Sequence, residues 1–181
     1  MIDCAIEKYY MQFNEKDYYF KNTEYSHVST DIIKLFENGR IPVRRNSRTD
    51  ISCFKKEFGV DLPEEIELYI NEYWHTHIYG YYNSEECIIL FAVLKKEGDT
   101  DNDILFYKNS LIELARKWQR IGDISKFIPI GWLGYSGGNV LYEVSTSNIY
   151  LEDVNSNIEG EINKKPIASS LEELIKNLIA R

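Results

Sequence analysis

The chain is poor in the residues that stiffen or cross-link a fold, since its 181 residues include only three cysteines and four prolines. Cys4, Cys53 and Cys87 are odd in number and form no Cys-x-x-Cys pair. We therefore expect no disulfide framework and a reducing compartment. Each of the three lies within an apolar pattern, so we expect a small buried side chain rather than a nucleophile.

Long apolar runs are also missing. The longest, at 87–94, is far too short to cross a bilayer. No signal peptide is visible at the start, because Asp3, Glu7 and Lys8 fall within an amphipathic pattern. We therefore expect a cytoplasmic protein that does not insert into a membrane.

Positive charge is scarce: 21 Lys and Arg are set against 29 Asp and Glu, which gives a net charge of -8. Nucleic acids and anionic membranes both require neutralising Lys and Arg, so this balance argues against both. It favours a protein partner with a basic surface, although solubility alone is an alternative explanation. Tyrosine is abundant, with 14 residues, and suits either a binding surface or the edge of the core.

Periodicity and turn residues predict the α+β class, with a largely antiparallel sheet packed with helices and a helix near each end. Helices are predicted at 2–13, at 30–38, on both sides of Gly59, after Ser110 and after Ser170, the last two opened by capping boxes. Strands are predicted at 77–82, 87–94, 104–107, 127–133, 140–144 and 149–154. The continuous apolar run 87–94 predicts a central strand covered on both faces.

One acidic stretch resembles the start of a calcium-binding loop. Asp99, Asp101 and Asp103 alternate as EF-hand ligands do, but Ile104 stands where that loop needs glycine and Ser110 where it needs glutamate. We interpret the stretch as an acidic turn, either solvated or in contact with a partner.

Other clusters are equally incomplete. His75 and His77 could face one side of a strand, but no third ligand is evident, so we interpret them as structural. The glycines at 131–138 match no phosphate-binding motif and predict a hairpin loop. The arginines at 40–48 could bind an anion or an acidic partner, but one short basic loop on an acidic protein is most simply a solvated one. We expect no catalytic residue, no cofactor and no metal.

The segment 54–65, Phe-Lys-Lys-Glu-Phe-Gly-Val-Asp-Leu-Pro-Glu-Glu, resembles the SUKH superfamily pattern of helix, glycine, Leu-Pro and second helix. The later strands and the ending 166–175 are similar as well. The added N-terminal helix and the Ala-Ser-x-Leu stretch at 168–171 resemble the Syd branch. The resemblance implies one SUKH/Syd-like domain over 1–181, with 1–49 as an N-terminal helical extension and 50–181 as the core.

The resemblance also implies a non-enzymatic protein-binding module. Its first expected use is immunity, in which the protein binds and neutralises a bacterial toxin. Its second is association with the SecY export channel at the cytoplasmic face of the membrane, as Syd proteins do. A small metal- or cysteine-dependent hydrolase and a scaffold protein remain the alternatives.

The predicted partner surface combines aromatic anchors with nearby carboxylates. It consists of Trp74, Tyr79, Tyr81, Tyr82, Glu97, Asp99, Asp101, Asp103, Glu152 and Asp153.

Overall fold

A computed structural model describes residues 1–12, 28–37, 41–82, 86–95 and 110–179. Over these residues the α+β class is confirmed, and helices lie near both ends. The helices are α1 (Ile2–Tyr10), α2 (Thr30–Glu37), α3 (Ser52–Phe58), α4 (Glu64–Glu72), α5 (Leu111–Trp118) and α6 (Leu171–Asn177). The strands are β1 (Val43–Arg44), β2 (Tyr73–Trp74), β3 (Ile78–Tyr82), β4 (Glu86–Leu90), β5 (Phe127–Leu133), β6 (Asn139–Glu143) and β7 (Ile149–Leu151).

The main sheet has five antiparallel strands in the order β3-β4-β5-β6-β7, so each strand pairs with its neighbour in sequence. β1 and β2 form a separate two-stranded sheet. In the part of the chain that the structure describes, no helix is long and apolar enough to cross a membrane.

The helices α1, α4 and α6 pack on one another, and α6 also packs on β3. The Leu-Pro-Glu-Glu segment contributes directly to this layer through Glu65 on α4. Its carboxylate accepts hydrogen bonds from the backbone N–H groups of Leu171 (3.1 Å) and Glu172 (2.8 Å), which open α6. These N–H groups have no partner within their own helix, so Glu65 caps α6 from a different helix.

The two capping boxes have different outcomes. The Ser170 hydroxyl accepts the backbone N–H of Glu173 at 3.0 Å, as predicted. Ser110 does occupy the N-cap position of α5, but its side chain makes no cap hydrogen bond. The capping-box prediction is therefore confirmed on the serine side at α6 and wrong for the serine at α5.

Several boundaries of helices and strands also differ from the prediction. The apolar spacing of Ile66, Tyr69 and Ile70 continues to Tyr73, but α4 ends at Glu72 because Tyr73 is extended and pairs with Arg44. The run 87–94 forms a strand only up to Leu90, and that strand is paired on both edges. Ile88 and Leu90 are fully buried whereas Ile89 is only half-buried, so the second face of β4 is not fully covered.

Candidate protein-binding surface

A row of apolar side chains crosses three neighbouring strands. Tyr79 on β3 lies opposite Ile89 on β4, and Ile89 lies opposite Trp132 on β5. Directly opposed residues of antiparallel strands project from the same face of a sheet. Tyr79 is 38% exposed and Ile89 and Trp132 are half-buried, whereas Ile78 and Ile88, on the opposite face, are fully buried. The open face therefore presents an apolar stripe.

A second row runs beside the first. Tyr81 lies opposite Cys87, and the Cys87 carbonyl accepts the backbone N–H of Gly134 at 2.7 Å. This places the β5–β6 turn beside Tyr81, and the hydroxyls of Tyr81 and Tyr135 hydrogen-bond to each other. Tyr135 is 71% exposed.

The segment after α6 extends this row beyond the edge of the sheet. Ile179 pairs with Tyr81 through two backbone hydrogen bonds of 3.0 and 3.1 Å. Its side chain therefore projects from the same face as Tyr81, and it is 52% exposed. We call the combined surface the aromatic face; it consists of Tyr79, Tyr81, Cys87, Ile89, Trp132, Tyr135 and Ile179.

An open groove of about 390 Å³ lies next to the aromatic face. It is lined by residues 136–138, 152–154 and 156–159, and we call it the acidic groove. Three of its side chains, Glu152, Asp153 and Glu159, are carboxylates. Two others, Val154 and Ile158, are apolar and are 42% and 66% exposed.

The groove and the face are joined through Asn139. Asn139, on β6, lies opposite Trp132 on β5. The Glu152 carboxylate accepts hydrogen bonds from the backbone N–H of Asn139 (2.9 Å) and from its side-chain amide (2.7 Å). The row Tyr79–Ile89–Trp132 thus continues through Asn139 to Glu152, from one side of the sheet to the other.

The charge of the groove is of one sign. Residues 152–163 contain four Asp and Glu and no Lys or Arg. Among the described residues, no basic group forms an ion pair with Glu152, Asp153 or Glu159. Such a groove attracts cationic groups, because no basic group of the described residues pairs with its carboxylates.

The structure places the predicted anchors on different surfaces. Tyr79 and Tyr81 lie on the aromatic face. Tyr82 alternates with Tyr81, is half-buried and packs against the core from the other side of the strand. Trp74 is only 7% exposed, and the guanidinium of Arg45 lies 4.2 Å from its ring centre. Trp74 and Tyr82 are therefore not part of this surface.

Only two of the six predicted carboxylates lie within the described residues. Glu152 and Asp153 line the acidic groove. Glu97, Asp99, Asp101 and Asp103 lie outside the described residues, as does the predicted strand 104–107.

The two histidines have different surroundings: His75 is turned into the core, whereas His77 is half-buried beside the aromatic face. The His75 ring is fully buried, makes an edge contact with Tyr69 and places Nδ1 2.8 Å from the backbone oxygen of Thr76. Burial lowers the pKa of His75, and likewise that of His77, to about 4, so both are neutral at pH 7. His77 makes an edge contact with Trp132 at 5.2 Å.

Metal ligands do not gather in the described part of the chain. No three His, Cys, Asp or Glu side chains there come together in a group that could hold a metal ion. Tyrosine and tryptophan, which converge on the aromatic face, are residue types that are enriched at protein interfaces.

Five members of the aromatic face were absent from the prediction: Cys87, Ile89, Trp132, Tyr135 and Ile179. For Tyr135 a signal exists, because an aromatic residue between Gly134 and Ser136 in a glycine-rich hairpin turn cannot reach the core. For Ile89 and Trp132 the signal lies in strand register, which places them opposite Tyr79. Ile179 continues the apolar spacing of Leu174, Ile175 and Leu178, which favours burial, but it lies beyond the end of α6 and is 52% exposed.

No protein-family model and no curated protein matches the chain.

Proposed function

We propose that this protein is a non-enzymatic binding module that recognises another protein through the aromatic face and the acidic groove. One observation carries the proposal. Of the seven large apolar residues that are exposed in the described structure, five lie on these two adjoining features. They are Tyr79, Tyr135, Val154, Ile158 and Ile179. Isolated apolar residues on a surface need no explanation, but a contiguous group marks an interaction site.

The types of residue support the same function. Tyrosine and tryptophan supply large contact areas with little rotamer freedom to lose, and they dominate the centres of protein interfaces. Carboxylates at the border of such a centre speed encounter with a basic partner and restrict its orientation. Tyr135 and Glu159 are of these two kinds, and both are accessible to a partner.

The resemblance to the SUKH superfamily supports a bacterial toxin as the partner. In this use the protein acts in the cytoplasm, where it binds the toxin and blocks its activity. Recognition of the SecY channel is the second candidate, since the Syd-like features of the sequence and the acidic groove suit the basic cytoplasmic loops of a membrane protein.

Co-expression tests toxin binding, and sedimentation with membrane vesicles tests SecY binding. The protein is produced with the toxin encoded beside its gene, and growth and complex formation are measured. We expect growth to be restored and a stoichiometric complex to co-purify. Sedimentation with SecY-containing membrane vesicles, against vesicles lacking SecY, tests the second candidate. Failure to bind in both experiments contradicts the proposed function.

A further inference from the structure

The aromatic face and the acidic groove have a fixed spacing, because both are built on the same sheet. Neighbouring strands lie about 4.8 Å apart. Two strand spacings therefore put Tyr79 about 10 Å from Trp132, and two more put Glu152 about 10 Å beyond Trp132. The intervening position, Asn139, is held by its two hydrogen bonds to Glu152. The distance from Trp132 to Glu152 is thus set by strand pairing, whereas the rest of the groove lies in the turn 136–138 and the loop 153–159.

We propose that the partner docks across the strands, with apolar side chains on the aromatic face between Tyr79 and Trp132 and with a lysine or arginine side chain in the acidic groove, about 10 Å beyond Trp132. This inference rests on the proposed function and specifies the chemistry of its partner. In an extended segment of the partner, 10 Å corresponds to about three residues. In a helix it corresponds to about seven residues, or two turns.

The groove suits a long basic side chain in two respects. Val154 and Ile158 offer apolar contacts to an aliphatic stem, and Glu152, Asp153 and Glu159 offer acceptors to its charged end. Lysine and arginine combine these two properties, because they bury their stems while the charge stays hydrated.

Charge complementarity favours a basic partner protein over a second copy of the chain as the molecule that binds this surface. The protein carries a net charge of -8, and the groove adds three carboxylates, those of Glu152, Asp153 and Glu159, to the border of the face. Two copies joined through this surface would bring like charges together, which opposes association. A basic partner instead gains from the same charges.

Two kinds of substitution test the contributions of the apolar anchor and of the acidic groove separately. Tyr79→Ala removes an exposed ring, while the backbone of Tyr79 keeps its hydrogen bonds to the Tyr9 hydroxyl (2.7 and 3.1 Å). We expect dissociation to become about thirtyfold faster, in the range of an interface hot spot. Tyr82→Ala is the matched control, since it removes the same side chain from the other face of the same strand, and we expect it to leave dissociation unchanged. Tyr135→Ala provides a second test at a side chain that is 71% exposed.

The double reversal Asp153→Lys with Glu159→Lys tests the groove. We expect association to slow about tenfold at low salt and to lose much of its salt dependence. The matched control is Asp31→Lys with Glu37→Lys, which makes the same change in net charge on two exposed residues of α2. We expect this control to slow association less than threefold.

The measurement is stopped-flow or surface-based kinetics with the purified toxin domain, and with SecY-containing vesicles as the second probe. Tight binding that all the variants keep would leave the proposed function standing and overturn this docking mode. Absence of binding by the unmodified protein would overturn both. Sedimentation of the protein alone gives a third outcome: a dimer that Tyr79→Ala dissolves would identify the occupant as a second copy and refute the basic partner.

Discussion

The contact between Glu65 and α6 gives a sharp test of how the Leu-Pro-Glu-Glu segment stabilises the fold. Glu65→Ala removes the acceptor of two backbone N–H groups, those of Leu171 and Glu172. Loss of a helix cap costs about 0.5–2 kcal/mol, and hydrogen bonds to a charged group contribute about 1.5–3 kcal/mol each. Because Glu65 is only half-buried, we take the lower part of these ranges and expect a loss of about 2–3 kcal/mol.

Two companion variants isolate the cause. Glu65→Gln keeps one oxygen acceptor but loses the charge, so we expect about half of that loss in the free energy of unfolding. Glu64→Ala removes the neighbouring carboxylate, which is exposed and also lies in the first turn of α4. We expect it to cost less than about 0.5 kcal/mol, a typical value for a surface substitution.

Urea denaturation followed by circular dichroism measures all three variants against the unmodified protein. A Glu65→Ala protein as stable as the Glu64→Ala protein would refute the view that Glu65 holds α6 in place. Amide hydrogen exchange adds a local readout, since the N–H groups of Leu171 and Glu172 should exchange faster only in the Glu65 variants.

Three further predictions concern the core and its edge. Leu174→Ala, at a fully buried position in α6, should lower the free energy of unfolding by about 2–5 kcal/mol in urea denaturation; a loss below about 1 kcal/mol would contradict the packing of α6. The pKa of His75 falls from 6.5 to about 4 on folding, so the unfolded chain binds more protons between these values, and stability should fall as pH drops from about 6.5 towards 4. His75→Phe should reduce the dependence of the free energy of unfolding on pH by up to about 1.4 kcal/mol per pH unit. Urea titrations at pH 5 and pH 7 measure this dependence, and an unchanged value would contradict the burial of a neutral ring. Gly80→Ala would place a Cβ 2.9 Å from the Ile179 carbonyl oxygen, which accepts the backbone N–H of Tyr81. The Tyr81 amide hydrogen should therefore exchange faster with solvent, whereas an unchanged exchange rate would show that Ile179 does not pair there.

Local chemistry explains which parts of the fold were predictable from the sequence. The strand at 127–133 matches β5 residue for residue, because a β-rich run there is bounded by turn residues. The stop at Gly59 was predictable for a similar reason, since this residue adopts φ of 73°, which favours glycine. The start of α6 follows from the Ser170 cap.

Features set by contacts between distant segments were not predictable. The sequence around Trp74 does not predict its burial, because Arg45, which follows β1, reaches over its ring from a distant segment. Ile179 fits the apolar pattern of α6 but leaves the helix to pair with Tyr81, about a hundred residues away in sequence. In both cases a tertiary contact overrides what the local pattern favours.

The candidate site was predicted in part for the same reason. Tyr79, Tyr81, Glu152 and Asp153 were chosen for their residue types, and all four lie on the aromatic face or in the acidic groove. That they adjoin depends on the register of five strands, which composition does not reveal. Trp132 became visible as a member only once its pairing with Ile89 was known.

Amide hydrogen exchange of the protein, free and bound to its partner, tests the central claim most directly. The account predicts slower exchange on binding in the hairpin turn 134–138 and in the loop 152–160, which border the aromatic face and line the acidic groove, with no change in α2. Protection confined to α2, α3 or the β1–β2 sheet, with both of these loops unaffected, would contradict it.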